Sequence, residues 1–398
     1  MKASDAARVQ EGDVNQSARR RRYAAEHHHG PAAGLVVEDA RLFLHQSLST
    51  PCLDAVRGCD GIYLETLDGR RLMDFHGNSA HQVGYGNPRV VEAIRRQLAE
   101  LPFCPRRFTN RYAVELARKL TALAPPPLRK VLFAPSGAVA IGIALKLARI
   151  ATGKHKTLSM WGAFHGATLE AASVGGEALF RDGMGPLLPG AGHVDPPFPY
   201  RCAYGCGGQC TLRCAESLES ALDADPGIGA VVAEPVRCTV VSPPPEGYWQ
   251  RVRAACDRRG VLLVFDEIPT CLGRTGRMFA SESVGVTPDV LVMGKGLGGG
   301  VVPMAAVIAR EDLDVAGDRA IGHYTHEKSP LGCAAALATI ECVEADGLLR
   351  HTRELGAHAM RRFAGMKQRH RLVGDVRGMG LLIGVELVKD RATREPAP

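Results

Sequence analysis

The sequence predicts an α/β protein, with a large domain built on a mostly parallel sheet between helices and a smaller α+β part beside it. Three observations predict this class. From about Val131 onward, short apolar runs alternate with segments of helical period, as in sheets whose strands are joined by covering helices. Several of those runs stop at a glycine or a charged residue, the place where such folds put ligand sites. Outside this region, "GIYLETLDGRRLMDF" reads as a hairpin turning at Asp68-Gly69, which assigns it to the smaller part.

The strands expected in order are "KVLFA", "KTLSM", "GAVVA", "VLLVF", "VLVMG" and "MAAVIA". Between the first two, Ile141, Ala144, Leu145 and Ala148 follow an i, i+3, i+4, i+7 stripe, so Ala138 to Ile150 is a helix packed on a sheet. A helical stretch runs from Pro330 through Arg371, and "LVGDVRGMGLLIGVELV" supplies two more strand-like runs around Gly378 and Gly380. The expected division is a disordered basic tail over 1–34, an N-terminal segment over 35–90 contributing to the small domain, a large domain over 91–325, and a C-terminal small domain over 326–398. No internal repeat or low-complexity segment is present.

With 398 residues, 45% of them hydrophobic and 23% charged, the chain can bury a sizeable core. No apolar run reaches the roughly 18 residues of a membrane span, and no hydrophobic signal core opens the sequence. A formal charge of +7, with basic and acidic residues interleaved outside the tail, argues against nucleic acid as a partner. The run Arg19 to Arg22 and the histidines His27 to His29 read as a solvated tail. Twelve cysteines without a signal peptide point to reduced thiols in the cytoplasm. Four of them, Cys202, Cys206, Cys210 and Cys214, fall at an even spacing of four in a loop. Zinc sites usually show C-x2-C pairs, so this is either a structural metal or redox clip or simply a cysteine-rich loop.

The stretch "VLVMGKGLGGGVVPM" runs an apolar strand into Lys295 among glycines. It contains the letters G-x-G-x-x-G, but a dinucleotide loop opens a helix and this one continues into another strand; a P-loop would need Ser or Thr where Gly296 stands. Taken alone, Lys295 is a cation that snorkels to solvent at a strand end. Residues elsewhere give it a second reading. Ser136 and Gly137 lie between a strand and a helix, where free backbone N–H groups hold phosphate, although Ser136 is equally an N-cap. Phe164 in "WGAFHG" follows a strand and can lie against a ring or in a core. In "VLLVFDEIPT", five apolar residues lead into Asp266, a strand-end carboxylate whose burial is unfavourable unless a positive group pairs with it. A protonated pyridine nitrogen or a neighbouring arginine would serve. Pyridoxal 5′-phosphate satisfies the phosphate loop, the aromatic, the acid and the lysine together.

The ordered set "SGAVAIGIALKLAR", "FHG", "AEPV", "FDEIPTCLGRTG", "PDVLVMGKGLGGG" and "VRGMGLLIGVEL" resembles the class III (ω-amino acid) aminotransferases, pyridoxal-phosphate enzymes of fold type I, over about Gly61 to Val388. The resemblance implies a mostly parallel seven-stranded sheet, a homodimer with active sites at the interface, and transfer or elimination at the amino group of a small amine or amino acid. It implies that Lys295 forms the internal aldimine and moves the substrate proton, and that Asp266 pairs with the pyridine nitrogen. Ile268 and Phe164 would cover the two ring faces, while Ser136, Gly137 and Ala138 hold the phosphate, completed by Thr325 of the partner subunit. Glu234 and His165 would stand behind the ring, and Arg377 matches the family's carboxylate-binding arginine; otherwise Arg377 is an exposed turn cation.

The chain departs from that family in places. Ala138 and Val139 replace a hydroxyl residue and a glutamate, Pro269 replaces a frequent glutamine, and Thr239 stands where enzymes handling glutamate often carry a gating glutamate. "LPFCPRRFTN" and "GHYTHEKSP" put Arg106, Arg107, His326 and Lys328 at the expected mouth, either as receptors for a phosphonate or phosphate or as surface charge. In this the chain is similar to the subgroup that eliminates ammonia or phosphate from phosphonated or phosphorylated ethanolamines. Family members usually continue beyond "VELVKDRATREPAP", so a shortened small domain is expected. Three readings follow: an aminotransferase, a lyase on the same cofactor, or a non-catalytic member of the fold.

Overall fold

The computed structural model describes residues 18–46, 49–206 and 210–397. The described residues form two compact units, one within 18–77 and 84–87, the other within 78–83 and 88–397. In the first unit, α1 (Ala18–His27) and α2 (Gly30–Leu42) precede the antiparallel strands β1 (Val56–Asp60), β2 (Tyr63–Thr66) and β3 (Arg71–Met73). The β2–β3 hairpin turns at Asp68-Gly69, as the sequence predicts, and Gly69 has φ 83, a left-handed conformation that favours glycine.

The expectation of a disordered tail is corrected where the residues are described. Ala32 and Val36 on α2 are buried with Ala55 in a small cluster. The Tyr23 hydroxyl on α1 donates to Asp54 Oδ2 at 3.3 Å and accepts from Arg70 at the same distance. These contacts give the segment packing that its polar composition conceals. Residues 1–17 of the expected tail lie outside the described residues.

The second unit begins with α3 (Pro88–Glu100) and α4 (Arg111–Leu123), the latter capped by Asn110, whose side chain accepts from Ala113 N at 2.9 Å. There follow β4 (Leu128–Ala134), α5 (Gly137–Thr152), β5 (Lys156–Met160), α6 (Leu169–Val174) and β6 (Ala191–Val194). Then come α7 (Arg213–Ala224), β7 (Ile228–Ala233), α8 (Tyr248–Arg259), β8 (Leu262–Asp266), α9 (Ala280–Val284), β9 (Val290–Met293) and β10 (Ala305–Arg310). The last elements are α10 (Pro330–Ala345), α11 (Leu348–Arg369), β11 (Val373–Met379), β12 (Leu382–Asp390) and β13 (Glu395–Pro396).

Seven strands form the main sheet in the order β4-β10-β9-β8-β7-β5-β6. Only β10 runs against its neighbours, so β4 through β9 all point one way. Every residue of β7, β8 and β9 is buried, which explains why these strands read as unbroken apolar runs rather than alternating ones. On one face α5 packs through Ile141, Ala144, Leu145 and Ala148 against Val232, Val264 and Val292; a second core cluster holds α4, α10 and the other side of β9 and β10. The helical stretch predicted from Pro330 to Arg371 is two helices, because Gly347 adopts φ 61 between α10 and α11. No helix among the described residues is long and apolar enough to cross a membrane.

Candidate functional site at the strand ends

Because β4, β5, β7, β8 and β9 are aligned, their C-terminal ends meet along one edge of the sheet, where open α/β sheets bind ligands. The loops leaving these ends carry Ser136, Phe164 and His165, Glu234, Asp266, and Lys295. Residues separated widely in sequence are thereby assembled by topology alone.

Asp266 closes β8 and is 1% exposed. Its Oδ2 meets His165 Nδ1 at 2.8 Å, and its Oδ1 accepts from the Ile268 amide at 3.0 Å. The positive partner that a buried carboxylate needs is thus His165, not an arginine. Burial alone would lower the His165 pKa, but the hydrogen bond and charge of Asp266 outweigh it and hold the imidazole above its ordinary value. The other ring nitrogen lies 3.3 Å from Ser159 Oγ. A carboxylate has lone-pair capacity for further donors, so Asp266 can still accept the N–H of a protonated ring nitrogen.

At the end of β4, Ser136 caps α5 and its Oγ accepts from Val139 N at 3.3 Å. The first amides of a 16-residue helix remain available to an anion. A Cβ added to Gly137 would stand 2.6 Å from Ile268 Cδ1, so a bare backbone is required where this loop approaches the β8 loop. Ala138 is half-buried and brings no hydroxyl. Phe164 is half-buried, with its ring centroid 4.3 Å from that of Phe180.

Lys295 opens a 3₁₀ turn directly after β9, with φ 46. A lysine in the left-handed region is strained, and such strain is retained where surrounding structure imposes it. It is exposed while Gly294 and Gly296 on either side are buried, so the amine alone emerges from the packed turn. A Cβ on Gly296 would overlap the Gln82 side chain at 1.8 Å, which explains the glycine there.

Glu234 is buried after β7; one carboxylate oxygen accepts from Cys238 N at 2.8 Å and the other has no partner. Burial raises its pKa. The Cys238 thiol is pushed up to about 11 by burial and by Glu234, while the charge of Lys295 opposes that rise, which puts the β7 loop within electrostatic reach of the lysine.

Arg377 on β11 is not an exposed turn cation. Its guanidinium donates to Val241 O and Val240 O, both at 2.6 Å, and pairs with Asp375 at 3.0 Å and Glu386 at 2.7 Å. Phe198 covers one face, with the guanidinium carbon 4.8 Å from the ring centroid. Thr239 is exposed. The segments carrying Arg106 and Arg107 and carrying Thr325, His326 and Lys328 pack on each other: the rings of Phe103 and His326 are 5.2 Å apart, and Asn110 donates to Lys328 O at 3.0 Å. Arg106, Arg107 and Thr325 are exposed, and the two arginine side chains make no hydrogen bond or ion pair among the described residues.

Sequence reasoning missed Arg237, a buried arginine three residues beyond Glu234. The signal was a cation directly after the apolar run "GAVVAEPV". The four evenly spaced cysteines do share one cavity with Pro196 to Pro199 and Pro245, yet among the described residues no group of potential ligands stands in position to hold a metal.

The assembled donors fit pyridoxal 5′-phosphate: a charge-paired buried carboxylate with spare acceptor capacity, a bare helix N-terminus, and a protruding amine. Comparison with known proteins agrees. The profile of the family Aminotransferase class-III matches residues 46–397. The (R)-1-hydroxy-2-aminoethylphosphonate ammonia-lyase of Vibrio splendidus is 44% identical over 402 aligned positions, covering 97% of this chain and 84% of that protein. The leucine/methionine racemase of Thermococcus litoralis is 36% identical, covering 83% and 76%. Among solved structures, an amine transaminase from an uncultivated Pseudomonas species, in its PLP-bound (internal aldimine) form, superposes with a TM-score of 0.84 at 33% identity, covering 89% of this chain and 86% of that one.

Proposed function

Since this chain belongs to the class-III aminotransferases, a family of pyridoxal-phosphate-dependent enzymes, we propose that it is an ammonia-lyase acting on a small hydroxylated amine that carries a phosphonate. The observation that carries this choice is the state of Arg377. Two carboxylates and two backbone carbonyls already occupy four of the five N–H donors of its guanidinium. A transaminase must admit an amino acid and a keto acid in turn, and its carboxylate receptor must be free to do so. Here Thr239 supplies no gating carboxylate, and Arg377 is held by two carboxylates of its own sheet and two carbonyls of the loop after β7. The 44% identity to a lyase acting on (R)-1-hydroxy-2-aminoethylphosphonate supports the same reading.

When bound, pyridoxal 5′-phosphate supplies a ring that withdraws electrons from the carbon next to the amine. Asp266 would keep the ring nitrogen protonated, and His165, 2.8 Å from its Oδ2, would hold the carboxylate in place. Ser136, Gly137 and Ala138 would hold the cofactor's phosphate at the N-terminus of α5, and Phe164 and Ile268 would cover its ring. Lys295 anchors the group, takes the proton from the amine-bearing carbon, and returns it to the departing hydroxyl. Water then releases ammonia and leaves an aldehyde, so the overall change is loss of ammonia alone. Glu234 would stand behind the ring as a buried acid. In this reading residues 91–325 bind the cofactor, residues 326–398 form the smaller domain, and Thr325 of a second copy completes the phosphate site in a homodimer. We place the protein in the cytoplasm.

The deciding experiment is ammonia release from (R)-1-hydroxy-2-aminoethylphosphonate with no keto acid present. Steady turnover supports the lyase. Stoichiometric conversion of the cofactor to its amine form, reversed by pyruvate or 2-oxoglutarate, supports the second reading, an aminotransferase, which the family's majority activity favours.

A further inference from the structure

Arg237 is a buried cation that its surroundings leave partly unanswered. It stands just past β7, 6% exposed. One terminal nitrogen donates to the Gly162 carbonyl at 2.6 Å, and Nε is buried with no partner. Among the described residues no carboxylate stands within ion-pairing distance of it. Arg377 is the contrast, since both of its carboxylate partners lie in hydrogen-bonding contact. Burying a guanidinium without a contacting anion is unfavourable by several kcal/mol, so a fold that retains one has a partner for it.

The position is built. The Arg237 amide donates to Ser242 O at 3.3 Å and the Ser242 amide donates back at 3.0 Å, closing a short loop at its base. Within that loop, Val240 and Val241 present the carbonyls that hold Arg377, so the loop is pinned from both sides. Across from it, Gly162 lies in the turn that leads from β5 to Phe164; a Cβ there would stand 2.7 Å from the Arg237 guanidinium. The charge of Arg237 is felt at both His165 and Glu234, which sets it beside the strand-end cluster. Glu234 and Glu177 favour its charge through space, and Arg377 opposes it.

We propose that Arg237 is the receptor for the anionic tail of the substrate, a phosphonate on the small amine. This rests on the lyase reading for the identity of the tail, but not for the existence of the receptor. A guanidinium presents N–H donors in a planar fork suited to two oxygens of one tetrahedral anion, and burial strengthens that contact. Arg237 then fixes which end of the amine faces Lys295 and discriminates against amines that carry no anionic group.

The test compares wild-type holoenzyme with Arg237→Gln and Arg237→Lys. Titration calorimetry measures binding of 2-aminoethylphosphonate and, separately, of propylamine. For Arg237→Gln we expect phosphonate affinity to fall about 30-fold or more and propylamine affinity to change by less than about threefold, with Lys in between. In turnover the effect is expected mainly in KM. Phosphonate binding by folded, cofactor-loaded Arg237→Gln that equals wild type overturns the proposal. So does an equal loss for both ligands, accompanied by a lower melting temperature and no rescue by lysine. A wild type that binds the phosphonate through Arg237 but releases no ammonia from its hydroxylated analogue overturns the lyase reading and leaves the receptor standing.

Discussion

His165 Nδ1 lies 2.8 Å from Asp266 Oδ2, with both side chains sealed from solvent. The pair joins the loop after β5 to the end of β8, and the imidazole pKa is held above its ordinary 6.5. A raised histidine pKa contributes stability that is fully present below the unfolded value and is lost as pH rises through the folded one. Urea unfolding of the apoprotein from about pH 6 to about pH 9 is therefore expected to show falling stability that His165→Gln removes. Identical pH slopes in wild type and variant would mean that the histidine is neutral in the fold.

Arg377 is expected to act first as a structural clamp. Removing it takes one of two cations from each of Asp375 and Glu386, which keep Lys367 and Arg201, and leaves the Val240 and Val241 carbonyls without their donor. We expect Arg377→Ala to lose about 3 kcal/mol in chemical denaturation, while affinity for 2-aminoethylphosphonate falls far less than in Arg237→Gln. A variant that keeps wild-type stability but loses ligand affinity selectively would return Arg377 to the role that sequence resemblance implies.

Asp289 is a second clamp, remote from the chemistry. Its Oδ2 accepts from Leu263 N at 2.7 Å and from Arg253 at 2.8 Å, and its Oδ1 pairs with Arg310. One buried carboxylate thus ties β8 to α8 and β10. Asp289→Ala leaves the buried Leu263 amide without its acceptor and takes one of two carboxylate partners from Arg253 and Arg310, which keep Asp257 and Asp312; it is expected to destabilise by about 2 to 3 kcal/mol, measured by denaturant midpoint at constant slope.

Cys206 is set apart from the other thiols. Hydrogen bonding from Thr211, with contributions from Cys202 and Cys210, draws its pKa down to about 7, whereas burial pushes Cys214 up to about 11. Iodoacetamide labelling at neutral pH is expected to modify Cys206 ahead of Cys214, with a rate that reaches half its maximum near pH 7. Peptide mass mapping reads the site directly. A half-maximum near the ordinary thiol value would contradict the assignment.

The sheet was legible where burial is complete. β4, β5 and β7 to β10 appear in the sequence as apolar runs because covering layers make both faces of the central strands hydrophobic. β6 was not read, because "AGHV" at the sheet edge has little apolar content and only its last residue is buried. α1 and the first residues of α2, up to position 34, were read as tail because α1 buries no residue and only the small side chain of Ala32 is buried in that stretch. Asp266 and Lys295 were legible as polar residues ending buried strands. The bond from Asp266 to His165 spans 101 positions and exists only through topology. Arg237 was passed over because one cation after a strand carries no local sign of whether it is paired.

The central claim is that the Lys295 amine, raised from its turn after β9, holds the cofactor covalently. The most direct measurement is borohydride reduction of the protein after incubation with pyridoxal 5′-phosphate, followed by peptide mass analysis, with Lys295→Ala treated in parallel. The account predicts a single phosphopyridoxyl adduct on Lys295 and loss of the visible absorbance band in the variant. Folded wild-type protein that stays colourless and unlabelled, or that carries the adduct on another lysine, would contradict it.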